Sequence, residues 1–213
     1  VCSSDLETDD VALSNGAKKI KATYLYADLA DSSNLARLAT HSATAKVIRT
    51  YVNSATRLLR YYGGEIRSFD GDRVMAIFIG DSKNNNAVRA AMAINWAVHQ
   101  VINPALKSKM PDLAKLWTMG HGVGIDTGEG LIVRGGVRNS NDLISIGRAP
   151  NLAAKLSEIR DKSTILITED VYNKLNGERR DSKNGEHRWK SHGRLSVGGG
   201  PVAVYGSYWW WSP

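Results

Sequence analysis

Two aspartates stand where chemistry could be done. Asp28 closes the run IKATYLYAD (20–28) and is followed by Leu-Ala-Asp-Ser-Ser and a helix start. Free amide groups at such a start, here near Ser32 and Ser33, bind phosphate, and either serine can cap the helix. Asp72 lies in FDGDRV, where Asp and Gly between apolar runs predict a hairpin turn. If that hairpin neighbours the first strand, the two carboxylates converge at one edge of a sheet. Two carboxylates and phosphates make a site for two hard divalent cations. The same residues would also serve as a plain helix cap and a plain turn, and spacing alone does not choose between these readings.

The elements that must position them follow from periodicity. Residues 20–28 are β-branched, aromatic and largely apolar, as in a strand buried on both faces. Leu35, Leu38, Val47, Ile48, Val52, Leu58 and Leu59 mark one or two helices up to Tyr62, ended by Gly63-Gly64. Two short strands flank Asp70-Gly71-Asp72, and a long helix over about 87–107 packs through Ala90, Ala91, Ala93, Ile94, Ala97 and Val98, with Pro104 ending or bending it. Residues 117–137 predict strands either side of Thr127-Gly128, and 142–146 another. A helix with Pro150 in its first turn runs to Arg160, a strand covers 164–168, and 188–211 reads as a closing pair of strands. This order predicts an α/β sandwich with helices on the sheet, one domain over 17–213 behind a flexible leader at 1–16. The run Val1–Leu6 also resembles translated sequencing adaptor.

The 213 residues are 42% hydrophobic and 23% charged, which excludes wholesale disorder and fibrous repeats. No apolar stretch is long enough to cross a bilayer and no signal-peptide order is seen, so no membrane contact and a cytoplasmic location are expected. A single cysteine, Cys2, excludes an internal disulfide and a thiolate metal site. The net charge of +7 favours a polyanionic partner. Nucleic acid is not expected, because the tryptophans cluster at the terminus instead of interleaving with basic residues.

ATYLYADLADSSNLARL, GGEIRSFDGDRVMAIF, HGVGIDTGEG and DLISIGRAPNLAAKL, in this order, resemble the four blocks of the class III nucleotidyl cyclase catalytic domain. The resemblance covers about residues 18–175. FDGDRVM with Tyr208-Trp209-Trp210-Trp211 is similar, more narrowly, to the pyrimidine cyclases of bacterial Pycsar antiphage systems. It implies a ferredoxin-like α/β domain with helices packed on a mainly antiparallel sheet, acting as a head-to-tail homodimer with composite sites. It further implies two divalent cations, Mn²⁺ or Mg²⁺, held by Asp28, Asp72 and the Leu29 carbonyl. Asn151 would orient the ribose. The basic residues nearest the blocks, Arg73, Arg148 and Lys155, become candidates for the phosphates, and a downstream effector would sense the cyclic nucleotide.

Three departures shape the expected substrate. Ser68 stands where cyclases making cyclic AMP place a lysine on the adenine. Ile144 stands at the base-reading acidic position, with Asp142 the nearest carboxylate, two residues away on the same strand face. Lys155 replaces the transition-state arginine and supplies a point charge without the bidentate fork. Phe69 or Tyr51 could fill the space a purine would need. Asp142 can accept from uracil or cytosine, so the residues do not rank the two, and the family resemblance alone favours uridine. Expected, therefore, is a UTP cyclase making cyclic UMP. A cytidylate cyclase, a purine cyclase and an inactive nucleotide-binding module are the alternatives.

Other motifs have plainer readings. Gly63-Gly64-Glu65-Ile66 is similar to a diguanylate cyclase signature but sits before the hairpin, as a helix cap would. His187 and His192 with Asp181 lack ligand spacing. The terminal tryptophans fit docking onto the core or an interface.

Overall fold

The computed structural model describes residues 16–137, 140–182 and 184–213, without the side chains of 136–142. The leader therefore falls outside the described residues, apart from Gly16. Strand β1 (Ala17–Ala30) is central, flanked by β3 (Arg73–Phe78) and β4 (Gly120–Val137), both antiparallel to it. With β2 (Glu65–Asp70) outside β3, the first four strands run β2-β3-β1-β4, the ferredoxin-like order. The sheet continues through β6 (Ile165–Thr168), β8 (Gly200–Ser207) and β7 (Lys190–Val197), and β5 (Ser140–Ile146) pairs with β4. Only the β4–β6 pair is parallel among the described pairings.

Helices cover both faces, which is why β1 reads as a continuous apolar run. Leu25, Ala27 and Leu29 join the main core with α2 (His41–Tyr61) and α3 (Lys83–Trp96), while Ala22 and Tyr24 meet Ala149 and Ala153 of α6 (Arg148–Glu158). Short helices α1 (Ser32–Leu38), α4 (Asn103–Lys109), α5 (Pro111–Leu116), α7 (Glu169–Tyr172) and α8 (Gly177–Arg180) complete the set. Helix α2 ends as expected at Gly63, whose φ of 80° lets Gly63 and Gly64 donate to the Arg60 and Leu59 carbonyls.

Three local expectations are corrected. Helix α1 begins at Ser32 after Asp31, whose φ is 59°; neither Ser32 nor Ser33 is the cap, and the Asp31 carboxylate is held by Asn34 at 2.9 Å. The long helix begins earlier, at Lys83, and does not end at Pro104. It widens into a π turn (Ala97–Ile102) and resumes as α4, which removes the clash between the proline ring and the carbonyl four residues back. There is no break at Thr127-Gly128: β4 is a single strand. Its glycines serve contact instead of turning. A Cβ on Gly124 would strike the Ala153 carbonyl and Ser157 amide of α6, and one on Gly130 the Tyr24 hydroxyl.

The C-terminal tail docks, as its aromatics suggest. Asn95 donates to the carbonyls of Tyr208 and Trp209 at 2.9 and 3.1 Å, and Trp211 donates to the Met92 carbonyl at 3.2 Å. Arg188 lies over Trp209 and Trp211, and Arg179 over Trp211. Among the described residues, no helix is long and apolar enough to cross a membrane.

Candidate functional site

The hairpin between β2 and β3 has two turn residues, Gly71 and Asp72. Gly71 alone takes a positive φ, at 60°, as a II′ turn requires, and this places Asp72 beside Arg73. Arg73 is in turn the cross-strand partner of Asp28, whose other neighbour is Gly122 of β4. Asp28 and Asp72 therefore converge at one end of the central strands. Burial pushes the Asp28 carboxyl above its ordinary pKa, against the pull of Arg160, and the Asp72 charge pushes it further.

The donor chemistry fits hard cations. The Asp72 Oδ2 is shut off from solvent and accepts no hydrogen bond among the described residues. A carboxylate oxygen so placed is costly unless a cation or an unseen donor completes it. Among the described residues no three His, Cys, Asp or Glu side chains gather, so the protein's side-chain donors here are two carboxylates. The Leu29 carbonyl on β1 and a nucleotide's own phosphates are the further oxygens available to such an ion.

The remaining candidates take different places. Arg73 is engaged by Glu158 at 2.7 Å and Asp70 at 2.9 Å and lies over Tyr26. Tyr51 is wholly buried, with its ring 5.9 Å from His121 and its hydroxyl without a partner among the described residues; burial first, then the charges of Asp28 and Asp72, hold that hydroxyl well above its usual pKa. It thus stands behind the carboxylates, inside the main core. Ser32 and Ser33 open α1 just after β1. Ser68 and Phe69 lie on β2 beyond a bulge, and Phe69 is 57% exposed.

On α6, Asn151 and Lys155 are exposed and share a stripe with Glu158, at i, i+4 and i+7. Glu158 reaches Arg73 beside Asp28; Asn151 lies seven residues back, about 10 Å along the axis. Arg148 sits at the far end, with Nη1 3.5 Å from Asp170 and 3.8 Å from the buried Asp126. Asp142 pairs with Gly135 in the β4–β5 ladder, but its side chain is outside the described residues. Ile144, two positions on, is 48% exposed.

One residue escaped sequence reasoning. Arg160, just beyond α6, donates from Nη2 to the Asp28 Oδ2 at 2.6 Å and from Nη1 to the Ser157 carbonyl. The contact joins positions 132 apart, so no local spacing could announce it. The residue that makes room is Gly122, where a Cβ would collide with the Arg160 guanidinium.

Comparison with known proteins extends the picture. No family model matches the chain. Among solved structures it is similar to the adenylyl cyclase CyaB from P. aeruginosa, with TM-score 0.75 and 22% identity over 89% of this chain and 94% of that one. A bacterial light-regulated adenylyl cyclase matches at TM-score 0.76 and 21% identity over 92% of this chain, which spans about half (53%) of that one. These likenesses show the class III cyclase fold. Curated relatives are nearer in sequence: a uridylate cyclase of Rhodovulum sp. is 48% identical over 78% of this chain and 70% of its own length. Uridylate cyclases of Burkholderia cepacia and Xanthomonas perforans are 41% and 39% identical, over 93% and 86% of this chain and 84% and 78% of theirs. With the cyclase fold and identities at this level over most of each chain, the protein belongs to the uridylate cyclase family of nucleotide cyclases.

Proposed function

We propose that this chain converts UTP into 3′,5′-cyclic UMP and pyrophosphate, at a site shared by two copies. The observation that carries the reading is the convergence of Asp28 and Asp72 at the end of the central strands, with a buried Asp72 oxygen that no donor among the described residues meets. Two divalent cations held there, with the Leu29 carbonyl, would lower the pKa of the 3′-hydroxyl and neutralise the triphosphate. The chain's own residues supply the rest. Amides opening α1 at Ser32 and Ser33 receive phosphate, as helix starts do. Asn151 orients the ribose and Lys155 faces the developing charge, both from the second copy. The exposed stripe carrying them supports this, since it leaves both side chains open to a neighbouring copy. Exposed apolar Phe69, Ile144 and Ile146 are surfaces that a second copy would cover.

The names of the relatives favour uridine. Ser68 supports exclusion of adenine: without a long donor, the base's ring nitrogen is buried unpaired, a loss of about 1–3 kcal/mol, or roughly 5- to 150-fold. Asp142 remains the carboxylate proposed to read the pyrimidine edge. The product would serve as a second messenger in antiphage defence, read by a separate effector. Incubating the purified chain with each of the four ribonucleoside triphosphates and Mn²⁺, with products read by mass spectrometry, tests the reading. Cyclic UMP is the expected main product; ATP cyclised at least as well as UTP and CTP would overturn the pyrimidine assignment.

A further inference from the structure

The Arg160 guanidinium sits on the same Asp28 oxygen that a divalent cation would claim. It lies 2.6 Å from Oδ2, anchored at its other nitrogen by the Ser157 carbonyl at the end of α6. A cationic side chain at a helix C-terminus is held by unpaired carbonyls and by the axial dipole, so the pose is favourable before any ligand arrives. Space for it exists because residue 122 is glycine. The pair is partly open, with side-chain exposures of 35% for Arg160 and 17% for Asp28, so the arginine can leave without unpacking the core. Asp72, by contrast, keeps an oxygen with no donor among the described residues. The two carboxylates are thus prepared differently: one carries a removable counter-ion and the other has a buried oxygen that none of the described residues meets.

We infer that Arg160 is a built-in counter-ion of Asp28, released when a divalent cation takes its place and transferred to the nucleotide's triphosphate. This deepens the cyclase reading and rests on it. The charge balance favours the exchange. Once a dication takes the Asp28 oxygen, a guanidinium beside it is repelled, while a triphosphate bound to the same site brings several negative charges within reach of the tethered arginine. Arginine offers the forked donor that Lys155 cannot, and so restores a bidentate phosphate contact from the chain that carries the carboxylates.

The proposal demands effects of opposite sign from one substitution. In Arg160→Met, Mn²⁺ alone, followed by loss of the free-ion EPR signal, should bind about fivefold more tightly, because a partly exposed ion pair no longer competes. In the same variant 3′-deoxyuridine triphosphate, which lacks the attacking hydroxyl, should bind about tenfold more weakly in saturating Mn²⁺. Arg160→Gln, should the methionine variant misfold, is expected to behave alike. Unchanged or weaker Mn²⁺ binding, or unchanged nucleotide binding, overturns the role of Arg160. Asp72→Asn separates the two readings. Loss of Mn²⁺ in that variant with none of the Arg160 effects leaves the carboxylate site standing and sinks this proposal alone. Full Mn²⁺ binding by Asp72→Asn removes the metal site and the proposal together.

Discussion

His121 is a residue whose role is set entirely by burial. Its Nε2 lies 3.0 Å from the Asn95 Oδ1, and because Asn95 spends its amide hydrogens on the tail carbonyls, the histidine must be the donor in that pair. Burial drives its pKa down from 6.5 to about 3, with His99 and Arg160 adding to the fall. Between those values the unfolded chain binds a proton that the folded chain refuses. Stability is therefore whole above about pH 6.5 and declines as pH drops toward 3, by about 1.4 kcal/mol per pH unit from this group. Urea titrations at pH 7 and pH 5 should show that decline in the wild type and a shallower one in His121→Gln. The carboxylates predict a different pattern. Asp28→Asn and Asp72→Asn remove charge from the mouth of the site without opening a cavity, so circular dichroism should stay native while turnover falls by about 10²-fold or more. Near-wild-type cyclisation by either variant would contradict the two-metal assignment.

At the scale of the element, β4 and α6 decide whether the site exists. The glycines of β4 let the α6 backbone approach closely, and Gly124→Ala must push against the Ala153 carbonyl and Ser157 amide, neither of which can rotate away. A loss of about 1–3 kcal/mol, seen as a lower urea midpoint, is expected, along with weaker turnover because Asn151 and Lys155 ride on the displaced helix. This packing also shows what the sequence could and could not reveal. The central strand, the Asp70-Gly71-Asp72 turn and the α6 start at Pro150 are written in local patterns, and each appears close to where those patterns put it. The continuity of β4 is not local. Its glycines have the composition of a turn, yet they answer a helix that begins about twenty residues later. The burial of Tyr51 depends likewise on neighbours that no spacing names.

At the scale of the whole molecule, a shared site predicts complementation. Asp72→Asn and Asn151→Ala chains, each inactive alone, should regain partial activity when mixed, since one of the two hybrid sites then contains neither substitution. No recovery despite demonstrated subunit exchange would count against sites built from two copies. The topology of the central strand carries a further consequence, for the time course of folding. Strand β1 lies against β4, with Ala30 opposite Gly120 and Ala17 opposite Val133, so one whole edge of the central strand waits for a partner about 90 residues or more downstream. Loops of that length make contact order high and closure slow, placing folding in the slower, sheet-dominated regime. On a ribosome adding about 5–20 residues per second, β1 would spend several seconds with that edge bare. The three lysines spaced along its first half, Lys18, Lys19 and Lys21, are the kind of charge that discourages such an edge from pairing with another nascent chain.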